Sequence, residues 1–184
     1  MQAWKTTARA KVLERPPFLI VENHTVELPD GRTISDWPWI ITPDYVNVVT
    51  ITDQQTFLCF RQTKYGVDGT SLAPVGGYME PDEMPLAAAQ RELLEETGYQ
   101  ATEWTELGHY RVDANRGMGT AYFFLACHAH KVTEPSADDL EEQQLMHLYQ
   151  HEIETALLQG EFKVLAWAAN ISMALLHLQR AAFS

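Results

Sequence analysis

The chain is 184 residues long, a size at which one catalytic domain with a modest appendage buries roughly 70% of the surface its unfolded form exposes. Hydrophobic residues make up 46% and charged residues 21%, and no apolar run approaches the ~20 residues of a membrane span, so a soluble globular protein is expected. A formal charge of -12, from 13 Lys and Arg against 25 Asp and Glu, argues against binding to nucleic-acid polymers and is compatible with a small anionic substrate if a metal supplies local positive charge.

The first residues, Met1 to Lys5, lack the basic region and apolar run of a secretory signal, which points to a cytoplasmic protein. Cys59 and Cys127 each lie inside an apolar run with no C-x-x-C spacing and read as reduced core residues. From Lys5 to about Ile34, short extended runs (Thr6 to Glu14, Phe18 to Val21, Thr25 to Leu28) close on a Pro29-Asp30-Gly31 turn and predict a small antiparallel sheet. A sheet this small is marginal alone, so it should pack on the main domain or on a second subunit. The expected division is an N-terminal β extension over residues 1–40 and a catalytic domain over 41–184.

Strands are predicted at Tyr45 to Ile51 and Thr56 to Arg61, joined by a turn at Asp53 to Gln55, with a polar loop from Lys64 to Thr70 after them. A helix should run from about Met84 to Thr97, with Asp82 as its N-cap, Pro85 in its first turn and Gly98 just past its end. Trp104 to Val112 and Ala121 to His130 read as strands around a loop from Asn115 to Gly119. An acidic stretch from Glu134 to Glu142, a short strand from Leu145 to Tyr149, and helices near 152–159 and 163–180 complete the chain. His128 and His130 share a strand face by their spacing, but two histidines without a third ligand nearby read as structural.

At ~100° per residue the predicted helix places Leu86, Ala89, Gln90, Leu93 and Thr97 on one arc and Glu92, Glu95 and Glu96 on the other. Glu92 stands three and four residues before Glu95 and Glu96, so the carboxylates repel by roughly 0.2 to 0.5 kcal/mol per pair. Arg91 can pair with Glu95 but cannot neutralise all three. A hard divalent cation with oxygen ligands meets the need, while a solvated acidic helix face is the plain alternative.

Gly77, five residues, Glu83, seven residues, then Arg91-Glu92-Leu93, Leu94, Glu95-Glu96, Thr97 and Gly98-Tyr99 resemble the Nudix signature at every specified position, and Pro74-Val75-Gly76-Gly77 looks like the loop that enters it. The resemblance implies an α/β fold: a Nudix α/β/α sandwich with a mixed sheet, here preceded by the small N-terminal antiparallel sheet. It further implies a site in which Gly77, Glu83, Glu92, Glu95 and Glu96 hold Mg2+ or Mn2+, with Arg91 orienting a glutamate of the cluster. The reaction implied is attack of water on a diphosphate that links a nucleoside to another group.

The whole chain is similar to the ADP-ribose pyrophosphatase branch, which implies cleavage of ADP-ribose to AMP and ribose 5-phosphate by a homodimer that exchanges its N-terminal sheet. Arg61-Gln62-Thr63-Lys64 resembles a phosphate-reaching strand end of that branch, and Glu141 or Glu142 falls where an additional catalytic glutamate is often found. Ala114 stands where that branch usually carries proline, and Gly76-Gly77 where it tends to have one glycine. Trp37 and Trp39 are candidates to stack on the base or simply to pack the N-terminal sheet, and Arg116 is a candidate substrate contact in the glycine-rich loop. Hydrolysis of another nucleotide sugar or a nucleoside triphosphate, and a non-catalytic nucleotide sensor, are the alternatives.

Overall fold

The computed structural model of the chain describes residues 1–136 and 142–182. It divides into two compact units: residues 1–44 with 111–120, and residues 45–110 with 121–184. In the first unit β1 (Lys5–Arg15), β2 (Leu19–Glu27) and β3 (Thr33–Ile41) form an antiparallel sheet in that order. Two features differ from the sequence expectation. Phe18 to Leu28 does not form two short runs; it yields a single strand, because residues 20–27 all find partners on β3 apart from the bulge between His24 and Val26. Trp37-Pro38-Trp39 lies inside a third strand, and Pro38 is tolerated there because β3 is an edge of its sheet, where a missing N–H leaves no ladder bond broken.

The second unit is built on a mixed sheet. Its strands are β4 (Tyr45–Thr52), β5 (Phe57–Thr63), β6 (Thr70–Ala73), β7 (Tyr99–Gln100), β8 (Glu103–Arg111), β9 (Thr120–Lys131) and β10 (Gln143–Leu148). The order β10-β5-β4-β9-β7 runs antiparallel except for the parallel pair β4–β9, with β6 joined to β5 and β8 to β9. β4 is buried on both faces, which explains its near-continuous apolar sequence. Val46 and Val48, with Leu58, Phe60 and Phe124, pack beneath α1 (Pro85–Thr97) on Ala88, Ala89 and Leu93. Val49 and Ile51, with Phe57 and Cys59, pack on the other face against Ile153 of α2 (Gln150–Leu158) and Ile171, Ala174 and Leu175 of α3 (Leu165–Ala182). Helices thus cover both faces of the sheet, one layer each, as expected for an α/β/α sandwich.

Both cysteines are free thiols, and burial alone pushes Cys59 up to about 12, consistent with an inert core residue. His128 has a φ of 57° at a bulge where β9 slips against β4, so the two histidines do not form a regular strand pair; His128 faces Asp53 at 3.5 Å and Glu103 at 3.8 Å instead. No described helix is long and apolar enough to cross a membrane.

Candidate active site

α1 begins one step later than its sequence suggests. Asp82 is not the N-cap: it sits in a tight turn at a φ of 63°, and Met84 occupies the cap position in extended conformation with no side-chain cap bond. The reason is Pro85, which drives the preceding residue out of the helical region and, at the first helical position, has no N–H to be capped. Glu83 closes the turn by accepting the Glu80 N–H at 3.0 Å. At the other end Gly98 takes the left-handed conformation (φ 74°), donates to the Leu94 carbonyl at 2.8 Å and accepts from Val132 at 2.9 Å.

Between these ends the carboxylates gather around one guanidinium. Arg91 grips Glu83 with two bonds, Nε to Oε1 at 2.9 Å and Nη2 to Oε2 at 3.0 Å. Its Nη1 donates to Glu92 at 2.8 Å and Glu95 at 3.1 Å, and Nη2 also reaches the Tyr78 carbonyl at 3.1 Å. The pairing with Arg91 is the main cause that holds Glu83 below its ordinary carboxylate pKa, and the Glu83 pairing likewise raises Arg91. Glu96 accepts the Gly76 N–H at 3.1 Å.

The Gly76-Gly77 pair has a steric purpose. Val46 donates to the Gly77 carbonyl and Val48 pairs with Val75, so the loop runs as a short extension beside β4. A Cβ on Gly77 would collide with the Glu92 carboxylate, and one on Gly76 with the Val46 carbonyl. Only glycine lets this backbone lie against the acidic face of α1. Tyr78, next in line, pairs across the backbone with Tyr45, whose phenol is pushed up first by burial and then by Tyr78.

Register brings other candidates together. β5 ends at Thr63, which pairs with Thr70 of β6, and Gln143 pairs with Gln62, so Lys64 and Glu142 stand at the same end of β5. Glu142 is exposed; Glu141 lies outside the described residues. Arg61 is ion-paired with Glu161 at 2.5 Å, a partner the local sequence does not reveal because it is 100 positions away. Trp37, Trp39 and Arg116 belong to the first unit. There Trp39 stacks on the buried His24 ring at 5.0 Å, and the Arg116 guanidinium lies 5.3 Å from the Trp37 ring centre.

Among the described residues no three acidic, histidine or cysteine side chains already converge as a metal cage, since Arg91 draws three of the carboxylates to itself. The donor set nonetheless fits a hard cation. Glu92 and Glu83 are mostly shielded, with side chains 12% and 14% exposed, and Glu95 is open at 46%. All contribute carboxylate oxygens, the ligand type magnesium and manganese prefer.

A helix-borne acidic cluster, entered by a glycine loop and backed by a mixed sheet between helical layers, defines the Nudix class of hydrolase. The NUDIX domain model matches residues 42–168, more than half of the chain, and the chain belongs to the Nudix family. The ADP-ribose pyrophosphatase of Bacillus subtilis is 28% identical over 154 residues, covering 83% of this chain and 80% of its own. The CMP-5'-(N-acetyl-N-hydroxy-3-aminopropyl)phosphonate hydrolase of Streptomyces rubellomurinus is 28% identical over 126 residues, covering 68% of this chain and 61% of its own. Among solved structures, that of an ADP compounds hydrolase superposes with a TM-score of 0.82 at 18% identity, covering 98% of this chain and 97% of its own, a likeness of fold.

Proposed function

We propose that the protein hydrolyses the diphosphate of an ADP-sugar, with ADP-ribose as the first substrate to test and AMP and ribose 5-phosphate as products. The observation that carries this reading is the join of glycine loop and acidic helix, where Gly77 lies against Glu92 and Gly76 holds Glu96. The similarity to the B. subtilis ADP-ribose pyrophosphatase supports the choice of substrate. Glu92, Glu95 and Glu96, assisted by Glu83, would hold Mg2+ or Mn2+. When bound, such a cation lowers the pKa of water and offsets charge on the phosphate oxygens. Arg91 keeps Glu83, Glu92 and Glu95 in register while they wait for it. Glu142 is the proposed base, positioned by the register of β10 beside the end of β5, and Lys64 and Arg116 are proposed to meet the phosphates. Arg61 supports that end of the sheet through Glu161. The N-terminal sheet over residues 1–40 is proposed as the contact of a homodimer acting in the cytoplasm.

The test is product analysis with purified protein. AMP and ribose 5-phosphate should appear only with Mg2+ or Mn2+, and Glu95→Gln and Glu96→Gln should each lose about a hundredfold or more in kcat, about 2.7 kcal/mol of transition-state stabilisation. Full turnover in chelator would overturn the reading. The phosphonate hydrolase relative favours one further arm: CMP-linked compounds belong in the substrate panel beside ADP-sugars.

A further inference from the structure

A cavity of about 470 Å3 opens on the face of the mixed sheet that carries α1, wholly within the second unit. The start of α1 bounds it on one side, and Trp104, Glu106 and His109 of β8 with Tyr122 and Phe124 of β9 line the other. In a strand that alternates strictly, Gly108 would follow Trp104 and Glu106 onto that face. Gly108 instead takes a φ of 134°; His109 is the next residue to reach the cavity, and Tyr110 meets Phe123 at 5.3 Å, on the opposite side of β9 from Tyr122 and Phe124. The irregularity adds a ring to the cavity at a place where regular alternation would leave none. Other groups hold the rings in place. The Trp104 Nε1–H donates to the Ala101 carbonyl at 3.1 Å, and its ring stands at 74° to that of the buried Phe124, 6.3 Å away. His109 Nδ1 lies 3.2 Å from Glu106 Oε1, and its ring lies 5.5 Å from that of Tyr122.

We infer that this cavity is a binding site for a small organic cation, an alkylated ammonium head on an apolar body, with the rings of Trp104 and Tyr122 and the Glu106 carboxylate as its recognition groups. The faces of tryptophan and tyrosine attract a cation through the ring quadrupole, and a quaternary head carries no N–H that must find an acceptor. Among the described residues Glu106 is the one carboxylate that lines the cavity, and no Lys or Arg does. That lining repels a phosphate or carboxylate ligand, and the chain's net charge of -12 acts in the same direction. A purely apolar ligand would gain nothing from Glu106, whereas a cation gains from the rings and from the carboxylate together. The volume and the mainly apolar walls with few polar groups are those of a small-molecule site. The inference does not depend on the proposed hydrolysis, because α1 lends the cavity only its first turn, while Glu92, Glu95 and Glu96 lie in later turns.

Calorimetric titration of the full chain with choline tests the site, beside the uncharged isostere in which carbon replaces the quaternary nitrogen. Choline should saturate the protein with a Kd on the order of a millimolar or tighter, and the isostere should bind about tenfold more weakly. Trp104→Leu should weaken choline about tenfold, and Glu106→Gln about threefold or more. Glu106 is half-exposed, so its variant keeps the test alive if Trp104→Leu does not fold. Glu27→Gln removes an exposed carboxylate of β2 and should leave choline binding unchanged, which separates a built site from the general attraction of an acidic protein for cations. Equal binding of the isostere, or no saturation by about 10 mM choline, overturns the inference. Displacement of choline by AMP would make the cavity a nucleotide subsite and overturns it too. Leu86→Asp, at the exposed rim, should leave the sedimentation mass unchanged; a fall in mass would show that this face is a contact between copies of the chain and not a ligand site.

Discussion

Arg91 makes five hydrogen bonds, four of them to three glutamates, and so resolves at a single residue the charge conflict that the spacing of Glu92, Glu95 and Glu96 creates. The bond to Glu83 has a pH signature. Glu83 has a folded pKa below its ordinary 4.5, so its contribution to stability is complete above that value and is lost as pH falls through the lower folded value. Acid unfolding followed by circular dichroism should therefore lose stability below about pH 4.5, and Glu83→Gln should flatten that slope; an unchanged slope would mean the pair contributes nothing. Gly77 makes a second residue-scale prediction. Gly77→Ala drives a methyl into the Glu92 carboxylate and should cost about a hundredfold in kcat through misplacement of that ligand. Gly66→Ala, where a Cβ meets open space, should be silent and serves as the control.

At the scale of the element, α1 is specified twice over, by an apolar stripe and by its end signals. Leu93 is fully buried beneath it, so Leu93→Ala should lower unfolding free energy by about 2–5 kcal/mol in a denaturant titration. Gly98→Ala should cost at least about 1–2 kcal/mol for the left-handed backbone, and more because its methyl would meet the Thr133 carbonyl. The end of this helix was legible because Gly98 is a local solution to a local problem. Its start was misread at Asp82, since side-chain preference at a cap gave way to the backbone restriction that Pro85 imposes on Met84. β3 was missed for the opposite reason: proline argues against a strand unless the strand is an edge, and edge position is a property of the assembled sheet.

For the molecule as a whole, residues 111–120 group with residues 1–44, an association across more than 60 positions of sequence. Gly117 and Gly119 look like ordinary flexible-loop glycines in the sequence; in the fold they are the points where Trp39 and Pro43 come too close for any side chain. All eleven residues of β1 are exposed, and the strand carries Lys5, Arg9, Lys11 and Arg15 in a chain of net charge -12. Such a basic edge suits contact with an acidic copy of the same chain. Sedimentation equilibrium should accordingly report about twice the 20.9 kDa chain mass, and a monomer at micromolar concentration would count against the proposed dimer.

The shared face of Glu92, Glu95 and Glu96 and the glycine loop before it are legible in the sequence, because a helix converts spacing directly into a shared face and because glycine and proline act on their own neighbours. The partners of Arg61 and Arg116, the ring beneath Trp39 and the placement of Glu142 beside β5 are not. Each depends on which strands lie side by side, and strand pairing is decided by burial of the whole sheet between its helices, a collective free energy that no local run of residues encodes.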